Sequence, residues 1–290
     1  MRLFPAGLFA VLSSLTVLPA QAQLLLPGAA AATSPTSETG GHQGGAGKPK
    51  PITVKVPNEA TLIGRELVRD GLAGSMAFER TGQGLEVSKL AMKGEQISNP
   101  AEPCRVDVVA ARPLATKFLG RPVGLSRYEI ELQACPLSFD VLDGAVLVSG
   151  LRPFCDFVAA DCRVQPNGLW GPPGNTINGE RVKEMEKALV RAENDMRANF
   201  RALLAKAGKD RASVKAIAGE QAGFSSDREM ICRDYAREST HGFCALRITE
   251  ARNLALQAKL GSGPKGEPEI KPVRSKHKPV APVAVAPGNE

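Results

Sequence analysis

Six cysteines carry the clearest covalent chemistry in this sequence: Cys104, Cys135, Cys155, Cys162, Cys232 and Cys244. An even number of thiols in a chain bound for an oxidising compartment reads as up to three disulfides. Proximity along the chain suggests the pairs Cys104–Cys135, Cys155–Cys162 and Cys232–Cys244. Metal ligation is the weaker chemistry, because no CxxC occurs and the three histidines, His42, His241 and His277, are scattered. Nucleophilic catalysis is short of parts. Only His241 could serve a Ser–His–Asp arrangement within the expected folded regions, and it sits in an expected loop with no nucleophile elbow nearby. Asp140 and Asp143 are close in sequence but lie beside a turn, where Asp is ordinary turn chemistry. No phosphate loop, dinucleotide fingerprint or metal-spaced cluster is present. The chain is therefore expected not to be an enzyme and to need neither cofactor nor metal.

The oxidising compartment is inferred from the first residues. Arg2 precedes an apolar run from Leu3 to Leu18, and Ala20 and Ala22 supply the small-x-small pattern that a signal peptidase accepts. Residues 1–22 read as a signal peptide, which places the mature chain in the periplasm or outside the cell. The run is shorter than the roughly 20 residues needed to cross a bilayer. After cleavage the chain is not expected to span a membrane.

Composition divides the remainder. Residues 23–51, with Gly40-Gly41-His42-Gln43-Gly44-Gly45, cannot bury enough apolar area to fold and read as a disordered leader. Residues 52–165 look β-rich. Ile52–Val56 and Tyr128–Leu132 alternate apolar and polar side chains, with weaker alternation over Leu85–Leu90 and Arg105–Val109. Thr81–Gly84 and Leu142-Asp143-Gly144 carry hairpin chemistry, while Leu62–Arg69 is ambiguous between strand and short helix. Pro and Gly crowd residues 166–179 and predict an irregular connector, with Trp170 as a plug between domains. Residues 261–290 read as an extended Pro/Lys tail.

From Glu180 the period changes. Val182, Met185, Leu189, Ala192, Met196, Phe200 and Leu203 recur at steps of three or four and predict an amphipathic helix, with Asn178 as N-cap and Gly208 at the C-cap. A second helix presents Val214, Ile217, Gln221, Phe224, Arg228 and Ile231, and a third runs from about Phe243 to Leu260. A Cys232–Cys244 bridge requires the second helix to stop near Tyr235–Arg237 and the third to start near Gly242, because bonded cysteines hold their Cα atoms within about 7 Å. The expected fold is α+β: a small antiparallel sandwich or barrel, then a disulfide-stapled antiparallel three-helix domain over residues 180–260.

Gln221-x-x-Phe224-x-x-x-Arg228-Glu229-x-x-Cys232, followed by Cys244-x-x-x-x-Thr249-x-x-Arg252-x-x-x-Leu256, resembles the helical domain of the LprI-like lysozyme inhibitor family. The likeness covers about residues 180–260. Phe224 stands where members usually carry Trp, Glu229 where they carry Asp, and Phe200 where they carry Tyr. The resemblance implies a protein that binds lysozyme or another envelope protein stoichiometrically and without catalysis. Most of the signature reads as structural, since Phe224 lies on the buried stripe with Gln221 and Arg228 one turn to either side. Net charge suggests a second partner class. The chain carries +7, of which residues 180–260 hold +4, and this favours an anionic cell-wall or membrane polymer. Nucleic acid is not an expected partner.

Overall fold

Hairpin turns and side-chain alternation lay the first two thirds of the folded chain into one sheet. The computed structural model describes residues 49–82, 84–109 and 112–261, all within one compact unit. The expected signal peptide, nearly all of the leader and all but the first residue of the tail lie outside them. Among the described residues, twelve strands make one antiparallel sheet: β1 (Glu66–Arg69), β2 (Ala73–Thr81), β3 (Gly84–Gln96), β4 (Pro103–Asp107), β5 (Leu114–Ala115), β6 (Lys117–Gly120), β7 (Arg127–Ile130), β8 (Leu137–Leu142), β9 (Ala145–Gly150), β10 (Cys155–Phe157), β11 (Cys162–Val164) and β12 (Gly168–Gly171). Their order is β10-β11-β3-β2-β1-β12-β9-β8-β7-β6, with β4 and β5 also pairing to β3. The two predicted hairpin turns are present, since Thr81 pairs with Gly84 and Leu142 with Ala145.

The sheet curls strongly. Phe78 on β2 and Phe139 on β8 stand four strand steps apart in the order, yet their ring centroids are 5.3 Å apart. A flat sheet would separate them by roughly 19 Å at about 4.8 Å per strand. The concave face closes around an apolar core that includes Leu67, Met76, Val87, Val141, Val148 and Trp170. Period-two alternation then gives β8, β9 and β12 a second buried face. Val146, Val148 and Trp170 point into the first core, while Leu142, Ala145, Leu147 and Leu169 join a second core shared with the helices.

Four α-helices follow: α1 (Gly179–Ala207), α2 (Arg211–Cys232), α3 (Glu238–His241) and α4 (Phe243–Leu260). The Asn178 side chain caps α1 by accepting from Arg181 N–H at 3.0 Å, and Gly208 ends it with φ of 60°. α4 is the central helix, buried on several sides through Leu246, Ile248, Asn253, Leu254 and Gln257. The two long helices around it bury narrower stripes, with Phe224 and Cys232 the fully buried residues of α2. The short α3 occupies what the sequence predicts to be a loop.

Several expectations change on inspection. Cys104 bonds to Cys162 and Cys135 to Cys155, in place of the pairs that proximity suggests, while Cys232 bonds to Cys244. Pairing explains the exchange: β4 and β11 both lie against Gly94 of β3, which puts Cys104 beside Cys162. Cys155 and Cys162 sit near the ends of the β10–β11 hairpin and each bonds elsewhere. Ile52–Val56 alternates as a strand does, but it forms no ladder and packs Val54 and Val56 on the helical core. Leu62–Arg69 ends in β1 and contains no α-helix.

The stretch expected to be an irregular connector contains β12, an interior strand of the sheet. Trp170 on that strand lies in the concave core, with its indole N–H donating to Pro166 O at 2.9 Å, and does not plug an interface with the helices. The Pro and Gly that follow form a seat. Tyr235, just after α2, donates its hydroxyl to Pro172 O at 2.7 Å, and Ala236 N–H donates to Asp70 O at 2.8 Å. A Cβ on Gly171 would come within 2.6 Å of the Tyr235 hydroxyl, and one on Gly174 within 2.1 Å of Ala236 O. Glycine is there because the Tyr235 side chain at one position and the Ala236 backbone at the other pass so close.

Candidate functional site

The signature residues converge on one aromatic ring. Helical spacing sets Gln221, Phe224 and Arg228 on one face of α2, and Thr249 and Arg252 on the face of α4 that meets it. Phe224 is buried, with the guanidinium of Arg228 centred 5.6 Å from its ring centroid and that of Arg252 at 5.9 Å. Both distances suit cation–π attraction. Arg228 Nη1 donates to Glu193 Oε1 of α1 at 3.1 Å and to Thr249 Oγ1 at 3.0 Å. Thr249 in turn donates to Ala245 O, one turn back, at 2.7 Å. Arg252 reaches Gln221 Oε1 at 3.4 Å and Glu220 at 3.5 Å, and Glu220 also pairs with Lys259.

Three helices are thus cross-linked around Phe224, although Arg252 Nη2 is buried with no hydrogen-bond partner among the described residues. Glu229 is the signature residue left out. It is exposed, and its backbone carbonyl simply accepts from Arg233 N–H at 2.9 Å.

A second local arrangement holds the Cys232–Cys244 staple, whose Cα atoms are 5.5 Å apart. Glu238 on α3 turns its carboxylate to the first N–H groups of α4, accepting from Cys244 at 3.0 Å and Ala245 at 2.8 Å. Burial lifts the Glu238 carboxyl above its ordinary range, with these bonds, His241 and Arg228 acting in the opposite direction. His241 is buried too. Its Nδ1 accepts from Phe243 N–H at 3.2 Å and its Nε2 faces Ala236 O at 2.9 Å, so both ring nitrogens serve the fold. Asp140, read from sequence as turn chemistry, is a buried strand residue that takes both arms of Arg127, at 2.6 and 2.7 Å. Asp143 does occupy the turn and pairs with Arg247 at 3.2 Å. Among the described residues, no group of three or more His, Cys, Asp and Glu is placed to hold a metal.

The surface best built for contact is one the sequence reading passed over. Between β9 and β11 the chain presents Leu151, Phe154 and Val158, which are 93%, 49% and 78% exposed. Leu151 and Phe154 lie in the connection that leads into β10, and Val158 lies at the β10–β11 turn beyond it. The tip is braced. Gly150 N–H donates to Asn167 Oδ1 at 2.7 Å, and Asn167 Nδ2 donates to Arg152 O at 3.2 Å. Cys155 is bonded to Cys135, and Asp161, at the far end of the hairpin, accepts from Ser98 N–H at 2.9 Å. The available signal was Leu151-Arg-Pro-Phe154 between a glycine and a cysteine, which is too short and too irregular to show a period.

No family model matches the chain, and neither a curated protein nor a solved structure matches it.

Proposed function

We propose that this chain is an exported, non-catalytic binding protein, periplasmic or secreted, that occludes a lysozyme or another envelope protein by stoichiometric contact. The observation that carries this reading is the braced tip from Gly150 to Val158. An exposed apolar segment held by such braces loses little loop entropy on binding, and this favours interface hot spots. Arg152 stands between Leu151 and Phe154, so the tip offers a cation flanked by apolar contacts. A lysozyme cleft offers the complement, a pair of carboxylates within an elongated groove. Three disulfides fit an oxidising compartment, and no helix among the described residues is long and apolar enough to cross a membrane. The likeness to lysozyme inhibitors supports the same reading through the α2–α4 signature, which would then hold the fold while the tip makes contact. The curled sheet we read as an open barrel that presents the tip.

The test is a titration of lysozyme activity with the oxidised chain. We expect inhibition that saturates near one equivalent, and a Leu151→Asp/Phe154→Ser variant weakened about tenfold or more with its circular dichroism unchanged. Full lysozyme activity at a large excess of the chain would remove lysozyme as the target. A second reading, binding to an anionic envelope polymer, is favoured by the net +4 on residues 180–260. Salt-sensitive co-sedimentation with isolated envelope fractions separates it from the first.

A further inference from the structure

A small pocket opens where the β8–β9 turn, the start of α1 and the first turns of α4 meet. It has a volume of about 130 Å³ and is lined by three guanidiniums, Arg65, Arg181 and Arg247, against one carboxylate, Asp143. Arg247 forms its fixed element. It is 7% exposed and stacked 5.2 Å over the Phe243 ring, with Nη1 on Glu250 at 2.6 Å and Nη2 on Asp143 at 3.2 Å. Its Nε is buried and has no hydrogen-bond partner among the described residues. The side chains of Arg65 and Arg181 are exposed and make no hydrogen bond or ion pair with any described residue. Two guanidiniums without partners among the described residues, beside a third locked in place, supply the donors of an anion site.

We propose that this pocket binds a phosphate group. Size and chemistry both point there. A volume of about 130 Å³ is that of roughly four waters, enough for one tetrahedral oxyanion and well below the pocket of a drug-sized ligand. Arginine forks match phosphate oxygens in pairs, and Arg65 and Arg181 bring their donors from two separate elements. The start of the 29-residue α1 adds the positive end of its dipole on the same side. Next to the pocket lies a wider depression of about 520 Å³ that shares Arg181, Arg247 and Asp143 and adds Lys187 and Arg191 with Glu184 and Glu250. A phosphate carried on a larger molecule therefore has an adjoining surface of mixed charge, with one more base than acid, along which the rest can lie.

This proposal deepens the anionic-polymer reading, and the two fail separately, because phosphate binding is measurable without any envelope fraction. Inorganic phosphate is titrated into the oxidised full chain by calorimetry, against chloride at equal ionic strength. Sedimentation with vesicles of phosphatidylcholine, with and without phosphatidic acid, forms the second arm. We expect saturable phosphate binding, weakened about tenfold in Arg65→Ala/Arg181→Ala, whose exposed positions leave the fold intact. Vesicle binding that depends on phosphatidic acid and is lost in the same variant identifies a lipid headgroup as the source; phosphate binding without it identifies a soluble phosphate. No phosphate signal above chloride, or one unchanged in the double variant, overturns the proposal.

Discussion

The sheet and the helical segment are both closed by disulfides, but the disulfides are of opposite kinds. Cys232–Cys244 spans 12 residues and joins the end of α2 to the start of α4, so helical phase and spacing alone specify it. Cys104–Cys162 spans 58 residues and Cys135–Cys155 spans 20, and in sequence order the second lies wholly inside the first. Their partners meet only because β3 receives both β4 and β11, and because the curled sheet brings β10 over to the start of β8. A local bridge fastens what the backbone already forms. A nested pair that joins strands distant in sequence records a topology that no local pattern contains.

Removing each bridge should expose that difference. In the chain-entropy treatment, closing a 58-residue loop stabilises by about 4 kcal/mol and a 12-residue loop by about 3. Cys104→Ala/Cys162→Ala should therefore lower the urea midpoint more than Cys232→Ala/Cys244→Ala, and equal midpoints would break the contrast. Phe224→Ala tests whether the helices depend on their shared ring. It should cost about 3 kcal/mol by cavity formation and lost packing of Arg228 and Arg252, read as the same midpoint shift. A loss below about 1 kcal/mol would show that the ion pairs around the ring hold the helices without it.

The smallest effect lies at the junction. Burial, aided by Asp234 and opposed by Arg69, raises the Asp70 carboxyl above its ordinary range. Between that range, near pH 4, and the raised value, the folded chain holds more protons than the unfolded one. Its stability therefore falls as pH rises through this window, and mild acid restores it. Asp70→Asn tolerates the local φ of 51°. It should raise the melting temperature slightly at neutral pH and flatten the profile; an unchanged profile would remove Asp70 from the pH dependence.

Legibility follows the same division. Helix α1 begins and ends within one residue of its predicted limits, because its stripe, Asn178 and Gly208 are all local. The Thr81–Gly84 and Asp143-Gly144 turns were readable for the same reason. Val54 and Val56 do share a half-buried face, although Ile52, which alternates with them, is exposed, and alternation does not say whether the partner is a strand or a helix. The Pro/Gly stretch at 171–174 misled most: its glycines serve Tyr235 and Ala236, more than sixty residues away. In the signature, Phe224 and Arg228 were placed by periodicity, while Arg228's partner Glu193, on another helix, was not. The exposed tip at Leu151 left no periodic trace.

Ile52 gives the fold a direction in time. Its N–H and C=O are both held by the side chain of Asn199, at 2.7 and 3.0 Å, and its C=O also by Gln257. The first described residues to be synthesised must therefore wait for nearly the last of them. Until α4 has arrived, the two valines that follow have no surface to cover, and the helical core stays open on that side. The segment acts as a closing latch: only a completed chain can seal itself, and any truncation that removes Gln257 leaves both ends of the fold undone.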